Sequence, residues 1–380
     1  MKLNNPFVIA GYESPDYFCD RERETADLIE AVENDRNVTL MAPRRMGKTG
    51  LIENTFYHLR KEKDYRTVLV DLFPAQNLSE FTKMFAFAVF NSLESTWEKA
   101  FEAANTFIRS CRPTLTVNPS DLSHKFSFDI APSAAESTLG EVFEYLGKHK
   151  GRVAVALDEF QQIAEFPEKG VEALLRSYVQ KVPAVSFVFS GSRQHLMREM
   201  FTSAKRPFYQ STQKMHLDVI DRGSYHAFAA RHFKDAGMEL PQDVFDRLYD
   251  RFGGITWYLQ AVMNRLYGRR VARVDDAAVA SVVSQLIAEG SYDYKRWCEL
   301  LPEGSLRLLR AVAREGVAKD ITSAAFVARH DLRAPSSVAV ALERLMDGEM
   351  LCRRDDGYAV YDQLFGLWLS EGSDYFCDRH

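Results

Sequence analysis

Cysteine is scarce in this chain of 380 residues, and its five copies (Cys19, Cys111, Cys298, Cys352 and Cys377) are odd in number and widely spaced. No CxxC or Cys/His ligand pattern joins them, which excludes a disulfide framework and a zinc site as organising features. Also missing is any apolar run near the roughly 18 residues that cross a bilayer, and the start from Met1 to Pro6 lacks the apolar core of a signal peptide. The expectation is a cytoplasmic protein that makes no membrane contact. Nor is there an excess of one charge: 48 Lys and Arg against 53 Asp and Glu leave a net charge of −5. Such a balance creates no global field that would gather nucleic acid, so any contact of that kind must be local.

What is present is a globular composition, 46% hydrophobic and 27% charged, over a length that suggests two or three domains. Short, uniformly apolar runs at 37–42, 67–73, 153–157 and 185–190 read as strands, with a last strand near 214–217. Helical spacing fills the gaps, at 78–104 and 139–148 among others. Apolar strands alternating with helices predict an α/β fold with a parallel sheet covered on both faces. The stretch 111–135 has no clear period and reads as an insertion, with a short ribbon at 125–130.

Beyond the sheet the composition turns helical from 224 to 266, broken at Gly237 to Pro241 and at Gly253-Gly254. After Gly290 a third unit is expected. Three short helices at 305–314, 323–329 and 335–346, followed by a hairpin at 349–361 turning at Asp355-Asp356-Gly357, are the parts of a winged helix. The division is therefore a core at 1–218, a helical lid at 219–290 and a winged helix at 291–380.

The chemistry-bearing signal lies in Ala42-Pro43-Arg44-Arg45-Met46-Gly47-Lys48-Thr49, which matches GxxxxGK[ST] except at its first position, where alanine replaces glycine. It follows an apolar strand and opens an amphipathic helix carrying Leu51, Ile52, Phe56 and Leu59. In that setting the loop from Pro43 to Gly50 wraps a β-phosphate with the backbone N–H groups of Arg44 onward, Lys48 reaches the β- and γ-phosphates, and the Thr49 hydroxyl ligates magnesium. The second signal is Asp158-Glu159 at the end of the strand VAVAL. Two carboxylates at the mouth of a sheet suit magnesium held by Asp158 and an attacking water activated by Glu159. Together they predict binding and hydrolysis of ATP or GTP; the absence of a guanine-reading NKxD motif favours ATP.

At the end of the next strand Ser190, Ser192 and Arg193 are candidates for sensing a γ-phosphate, or for a plain turn and helix cap. Arg206 reads either as a finger reaching a γ-phosphate or as an ordinary surface arginine.

These residues resemble the archaeal-type ATPase family within the STAND class of signal-transducing P-loop NTPases. The resemblance rests on PDYFCDRERET (15–25), APRRMGKTGLI, LDEFQQI, FSGSRQHLM, FGGITWYLQ and YAVYDQLFGLWL, and runs along nearly the whole chain. It implies an additional-strand (ASCE) P-loop core of the AAA-like kind, a lid, a winged helix, and a nucleotide held between core and lid. It also implies Phe18 and Arg21 as adenine-site residues. Thr256 stands where relatives carry a proline, and Trp257 and Tyr258 belong near the nucleotide or in the lid core.

On this reading the chain is a slow or partner-stimulated, magnesium-dependent ATPase acting as a switch. A protein partner and an oligomer both remain open. The alternative is a DNA-associated ATPase that uses Ser336, Ser337 and Arg344 on the recognition helix with Arg353 and Arg354 on the wing. Charge does not favour it, because residues 300–380 hold 10 Lys and Arg against 13 Asp and Glu.

One hexapeptide occurs twice, as Asp16 to Arg21 and as Asp374 to Arg379. It is either a coincidence of aromatic-rich ends or a tail copy that competes with the first for its docking place.

Overall fold

The computed structural model describes residues 3–117, 124–354 and 357–371. The expected turn residues Asp355 and Asp356, and the second copy of the hexapeptide, lie outside the described residues. The chain forms two compact units, one of residues 1–236 with 245–264 and the other of 237–244 with 265–380. No helix among the described residues is long and apolar enough to cross a membrane.

The first unit begins with α1 (Glu22–Glu33), β1 (Val38–Met41), α2 (Lys48–Glu62) and β2 (Tyr65–Asp71). Next come α3 (Leu78–Leu93), α4 (Trp97–Phe107), β3 (Pro113–Val117) and β4 (His124–Phe128). The chain continues through α5 (Ala135–Lys148), β5 (Arg152–Asp158), α6 (Val171–Lys181), β6 (Val185–Gly191), α7 (Gln194–Thr202) and β7 (Gln213–His216), and then α8 (Arg222–Asp235).

Five strands form one parallel sheet in the order β2-β5-β6-β1-β7. The additional strand β6 therefore separates β1, which leads into the glycine-bearing loop, from β5, which ends in Asp158. That order brings the carboxyl ends of β1, β5 and β6 side by side. The period of two along each strand divides the core between the faces. Val153, Val155, Leu157, Phe187 and Phe189 pack in the cluster that holds α3, α5 and α7, whereas Ala154, Ala156 and Val188 face the cluster of α1 and α2. The small alanines on the second face let α2 lie close, burying Leu51, Ile52, Phe56 and Leu59. Each such side chain contributes about 1.5–3 kcal/mol by leaving water.

The continuous helix expected over 78–104 is two helices. Glu94 leaves α3 in extended backbone, and Thr96 caps α4 by accepting from the Lys99 N–H at 3.4 Å. The ribbon expected at 125–130 is β4, paired antiparallel with β3.

The helices α9 (Gln242–Arg251) and α10 (Thr256–Arg269) flank the expected break at Gly253-Gly254, where both glycines have positive φ. The second unit contains α11 (Asp276–Leu300), a single 25-residue helix, and Gly290, after which the third unit was expected to start, lies inside it. Then follow α12 (Glu303–Glu315), α13 (Ala324–Arg329), α14 (Pro335–Asp347), the hairpin strands β8 (Leu351–Arg354) and β9 (Gly357–Val360), and α15 (Gln363–Glu371). Ala318 adds a one-residue third strand by exchanging two 2.8 Å backbone hydrogen bonds with Tyr358. Tyr294, Trp297, Phe365 and Trp368 join α11 to α15 through ring contacts of 5.1–5.8 Å.

Candidate functional site

Between β1 and α2 the chain turns through two left-handed residues, Arg45 at φ 70° and Gly47 at φ 87°. Gly47 takes that conformation at little cost and starts α2 without a side-chain cap. The first backbone N–H groups of α2 are thus free of a capping side chain, which is the arrangement that receives an anion. Lys48 is buried, and its ammonium donates to the carbonyls of Ala42 and Pro43, each at 3.1 Å. Burial pushes its pKa down, while the carboxylates of Glu159 and Asp158 push it back up.

The second signal converges on the first. Thr49, at the start of α2, donates its hydroxyl proton to Asp158 Oδ2 at 2.6 Å. The donors are hard oxygens, and a hydroxyl beside a buried carboxylate fits magnesium, which prefers a few protein oxygens and keeps much of its water. Asp158 also accepts from the Glu159 N–H at 3.0 Å. Glu159 itself sits in the left-handed region at φ 51°, a conformation that costs a non-glycine residue on the order of 1 kcal/mol and that aims its side chain differently from a continuing strand.

Of the three candidates at the end of the additional strand, the structure brings Ser192 to Glu159. Ser192 donates to Glu159 Oε2 at 2.7 Å and accepts from Arg44 Nε at 3.4 Å. It is not the cap of α7, whose N-cap position is Arg193 with no side-chain cap bond. Arg193 is ion-paired with Glu165, and Ser190 is fully buried in β6 with its Oγ unpartnered among the described residues. Arg206 pairs with Glu172 and, at 3.4 Å, with Glu199. Two carboxylates of the same unit thus hold its guanidinium.

A cavity of about 370 Å³ adjoins the loop. One part is lined by Arg44 to Gly50 with Glu159, and the other by the segment before α1, including Val8, Ile9, Tyr12 and Phe18, with Ile220, Thr256, Trp257 and Gln260. Phe18 packs so tightly on α2 that a Cβ at Gly50 would meet its ring at 3.2 Å. Tyr12 lies edge-on to Phe18 at 5.8 Å and donates to Asn54 Oδ1 at 2.9 Å. Burial raises the Tyr12 hydroxyl far above its usual range and also raises the Glu53 carboxyl at the cavity wall.

Arg21 lines the cavity as expected, but its guanidinium is committed to the protein. Nη1 donates to Glu24 at 2.7 Å and Nη2 to the Asp218 carbonyl at 2.5 Å. Arg45 stacks over Trp257 at 4.5 Å and Tyr258 at 4.9 Å and bonds the Tyr258 hydroxyl, while its carbonyl accepts from the Trp257 N–H at 3.1 Å. Tyr258 is buried and stacks on Phe252. The cavity residues that sequence reasoning missed are Tyr12 and Glu53, which lie outside the recognised motifs, and Gln260, which closes the segment FGGITWYLQ without being singled out there.

With this geometry in hand, comparison with known proteins is informative. Residues 18–262 match the family described as "ATPase domain predominantly from Archaea", and residues 292–371 match a "probable winged helix domain". The first match covers well over half of the chain, and the protein belongs to that ATPase family. Among solved structures, the Walker-type ATPase paby2304 of Pyrococcus abyssi is similar at a TM-score of 0.65 and 18% identity, over 96% of this chain and 99% of that one. The Aeropyrum pernix ORC2 protein, solved as ADPNP–ADP complexes, aligns at 0.60 and 15%, over 96% and 95%. The Aeropyrum pernix ORC1 protein in complex with DNA aligns at 0.55 and 14%, over 97% of each chain. At these identities the likeness is one of fold. No curated protein matches the chain. Family and fold support a nucleotide-binding ATPase with an α/β P-loop core and a winged helix.

Proposed function

We propose that this protein is a magnesium-dependent ATPase that works as a nucleotide-controlled switch of the STAND class. The observation that carries the reading is the convergence of Thr49 on Asp158 at 2.6 Å beside a Glu159 held by Ser192 at 2.7 Å. Lys48 and the N–H groups from Arg44 to Gly50 hold the phosphates, and Phe18 covers the base. Thr49, and Asp158 through water, would hold magnesium, which would supply charge neutralisation at the phosphates. Glu159 takes a proton from the water that attacks the γ-phosphorus as the bond to the β-phosphate oxygen breaks. Ser192 orients that carboxylate, and Arg44 lies against Ser192.

In this reading residues 1–218 are the core, 219–290 the lid and 291–380 the part that reports nucleotide state to a protein partner or a second subunit. Support for a responsive lid comes from Arg45, which is bonded to the start of α10 through both its carbonyl and its guanidinium. A bound phosphate would compete for the same loop.

A second reading, a DNA-associated ATPase, draws on the winged-helix match and on the likeness to ORC1, solved in complex with DNA. The net charge of −3 over residues 300–380 weighs against it. The deciding measurement is magnesium-dependent ATP turnover by the wild type, Glu159→Gln and Lys48→Ala, with and without duplex DNA. Loss of turnover in both variants supports the assignment, and turnover in Glu159→Gln equal to wild type refutes it. A rate that rises with duplex would favour the second reading.

A further inference from the structure

We infer that Gln161 is a positioning residue for the hydrolysis proposed above: together with Ser192 it pins Glu159 Oε2, so that Oε1 is the oxygen that takes the proton from water. This rests on the assignment of Glu159 as the base. Gln161 lies in the 3-10 turn Phe160–Glu165 that follows β5, and its Nε2 donates to Glu159 Oε2 at 2.5 Å. Ser192, the residue after β6, donates to the same oxygen at 2.7 Å. Glu159 lines the cavity, and its Oε1 has no hydrogen-bond partner among the described residues.

The sense of the Gln161 bond follows from the acceptor. An ionised carboxylate only accepts, so the amide atom turned towards it is the nitrogen. Gln161 and Ser192 are both buried, which keeps water from competing for either bond. Two donors held in separate segments leave the carboxyl group unable to rotate without breaking both. One oxygen is thereby committed to the protein and the other is left for the reacting water.

Stability alone does not account for an amide at this position. Gln161 Oε1 is buried with no partner among the described residues, a cost that an apolar side chain of the same length would avoid. The fold nevertheless makes room for it. A Cβ added at Gly191, the last residue of β6, would lie 2.6 Å from the Met197 side chain and closer still to Gln161 Oε1. Gly191 is not among the residues with positive φ, so the close approach of these two side chains is what requires glycine there. The core thus accommodates an orphaned acceptor, and the side-chain hydrogen bond gained in return is the one to Glu159.

The test is single-turnover hydrolysis of ATP with magnesium by the full chain, with ATP affinity and melting temperature measured beside it, for Gln161→Met, Glu159→Gln and the double variant. Methionine keeps the length of the side chain while removing the donor and the orphaned acceptor together. Gln161→Met is expected to melt within about 4 °C of the wild type and to bind ATP as tightly. Its hydrolysis should be about ten- to a hundredfold slower, the penalty for losing one hydrogen bond to a charged group that positions a reacting atom. In the Glu159→Gln background the same substitution should slow turnover no further, because the carboxylate it serves is gone. A role confined to packing would slow both backgrounds alike. Wild-type turnover by Gln161→Met, or an equal loss in both backgrounds, overturns the inference. Should Gln161→Met not fold, Gln161→Leu carries the same expectation. Wild-type turnover by Glu159→Gln sinks the base assignment and this inference with it, whereas a disabled Glu159→Gln beside a fully active Gln161→Met sinks this inference alone.

Discussion

Trp257 donates its backbone N–H to the Arg45 carbonyl at 3.1 Å while the Arg45 guanidinium lies over its indole at 4.5 Å. The glycine-bearing loop and the start of α10 are thus joined by a backbone bond and a cation–π contact at one residue. Trp257 fluorescence should change when ATP and magnesium are added, and Trp257→Phe should remove that change although Trp97, Trp297 and Trp368 remain. Arg45→Ala should reduce the amplitude, since the cation–π contact is worth on the order of 0.5–2 kcal/mol. An identical response in wild type and Trp257→Phe would show that the loop and α10 do not move together.

Glu159 and Ser192 make unequal contributions in the proposed chemistry. Glu159→Gln should lower turnover by roughly a hundredfold or more while ATP still binds, because a general base contributes about 10²–10⁴-fold. Ser192→Ala removes a 2.7 Å bond that only orients the carboxylate, and should cost on the order of tenfold. Single-turnover rates with saturating ATP separate the two.

Arg21 is expected to matter for stability more than for nucleotide contact. Its two bonds, to Glu24 and to the Asp218 carbonyl, are made by a nearly fully buried guanidinium. Arg21→Ala should therefore destabilise the protein by about 1.5–3 kcal/mol, the range for a hydrogen bond involving a charged group. Urea denaturation without nucleotide measures this, and an unchanged midpoint would contradict it.

In the second unit, Glu315 accepts from His330 at 2.7 Å and from Arg329 at 2.9 Å. The His330 hydrogen bond foremost, then that of Arg329, hold its carboxyl below the usual carboxylate range. A depressed carboxyl adds stability that is full above the unfolded value, near 4.3, and is lost as pH falls through the folded one. Glu315→Gln should lower the melting temperature at pH 7 and lose most of that deficit at pH 3. A deficit that does not shrink with acid would mean the effect is packing.

The elements closest to the site were legible because their signals are local. The run 37–42 and the glycine-lysine turn after it are consecutive residues, as are VAVAL and Asp158-Glu159, and the structure forms a strand, loop and helix from the first and a strand ending in the carboxylates from the second. The break before Thr96 was legible too, as a helix cap, but the apolar spacing across 78–104 masked it. The partners of Arg21, Arg193 and Arg206 were not legible, since an arginine's letter does not reveal whether a carboxylate or a carbonyl waits for it. Glu24 lies three residues from Arg21, but Asp218 lies 197 away.

By itself, then, the sequence determined which segments become strands and helices and which residue types the loop presents, because periodicity and turn chemistry act over a few neighbouring residues. Only the tertiary structure decided that β6 lies between β1 and β5, that Ser192 meets Glu159, and that Arg45 lies over Trp257. Those pairings depend on burial and on directional bonds between residues tens of positions apart, where each side chain has many sterically equal partners until packing leaves one.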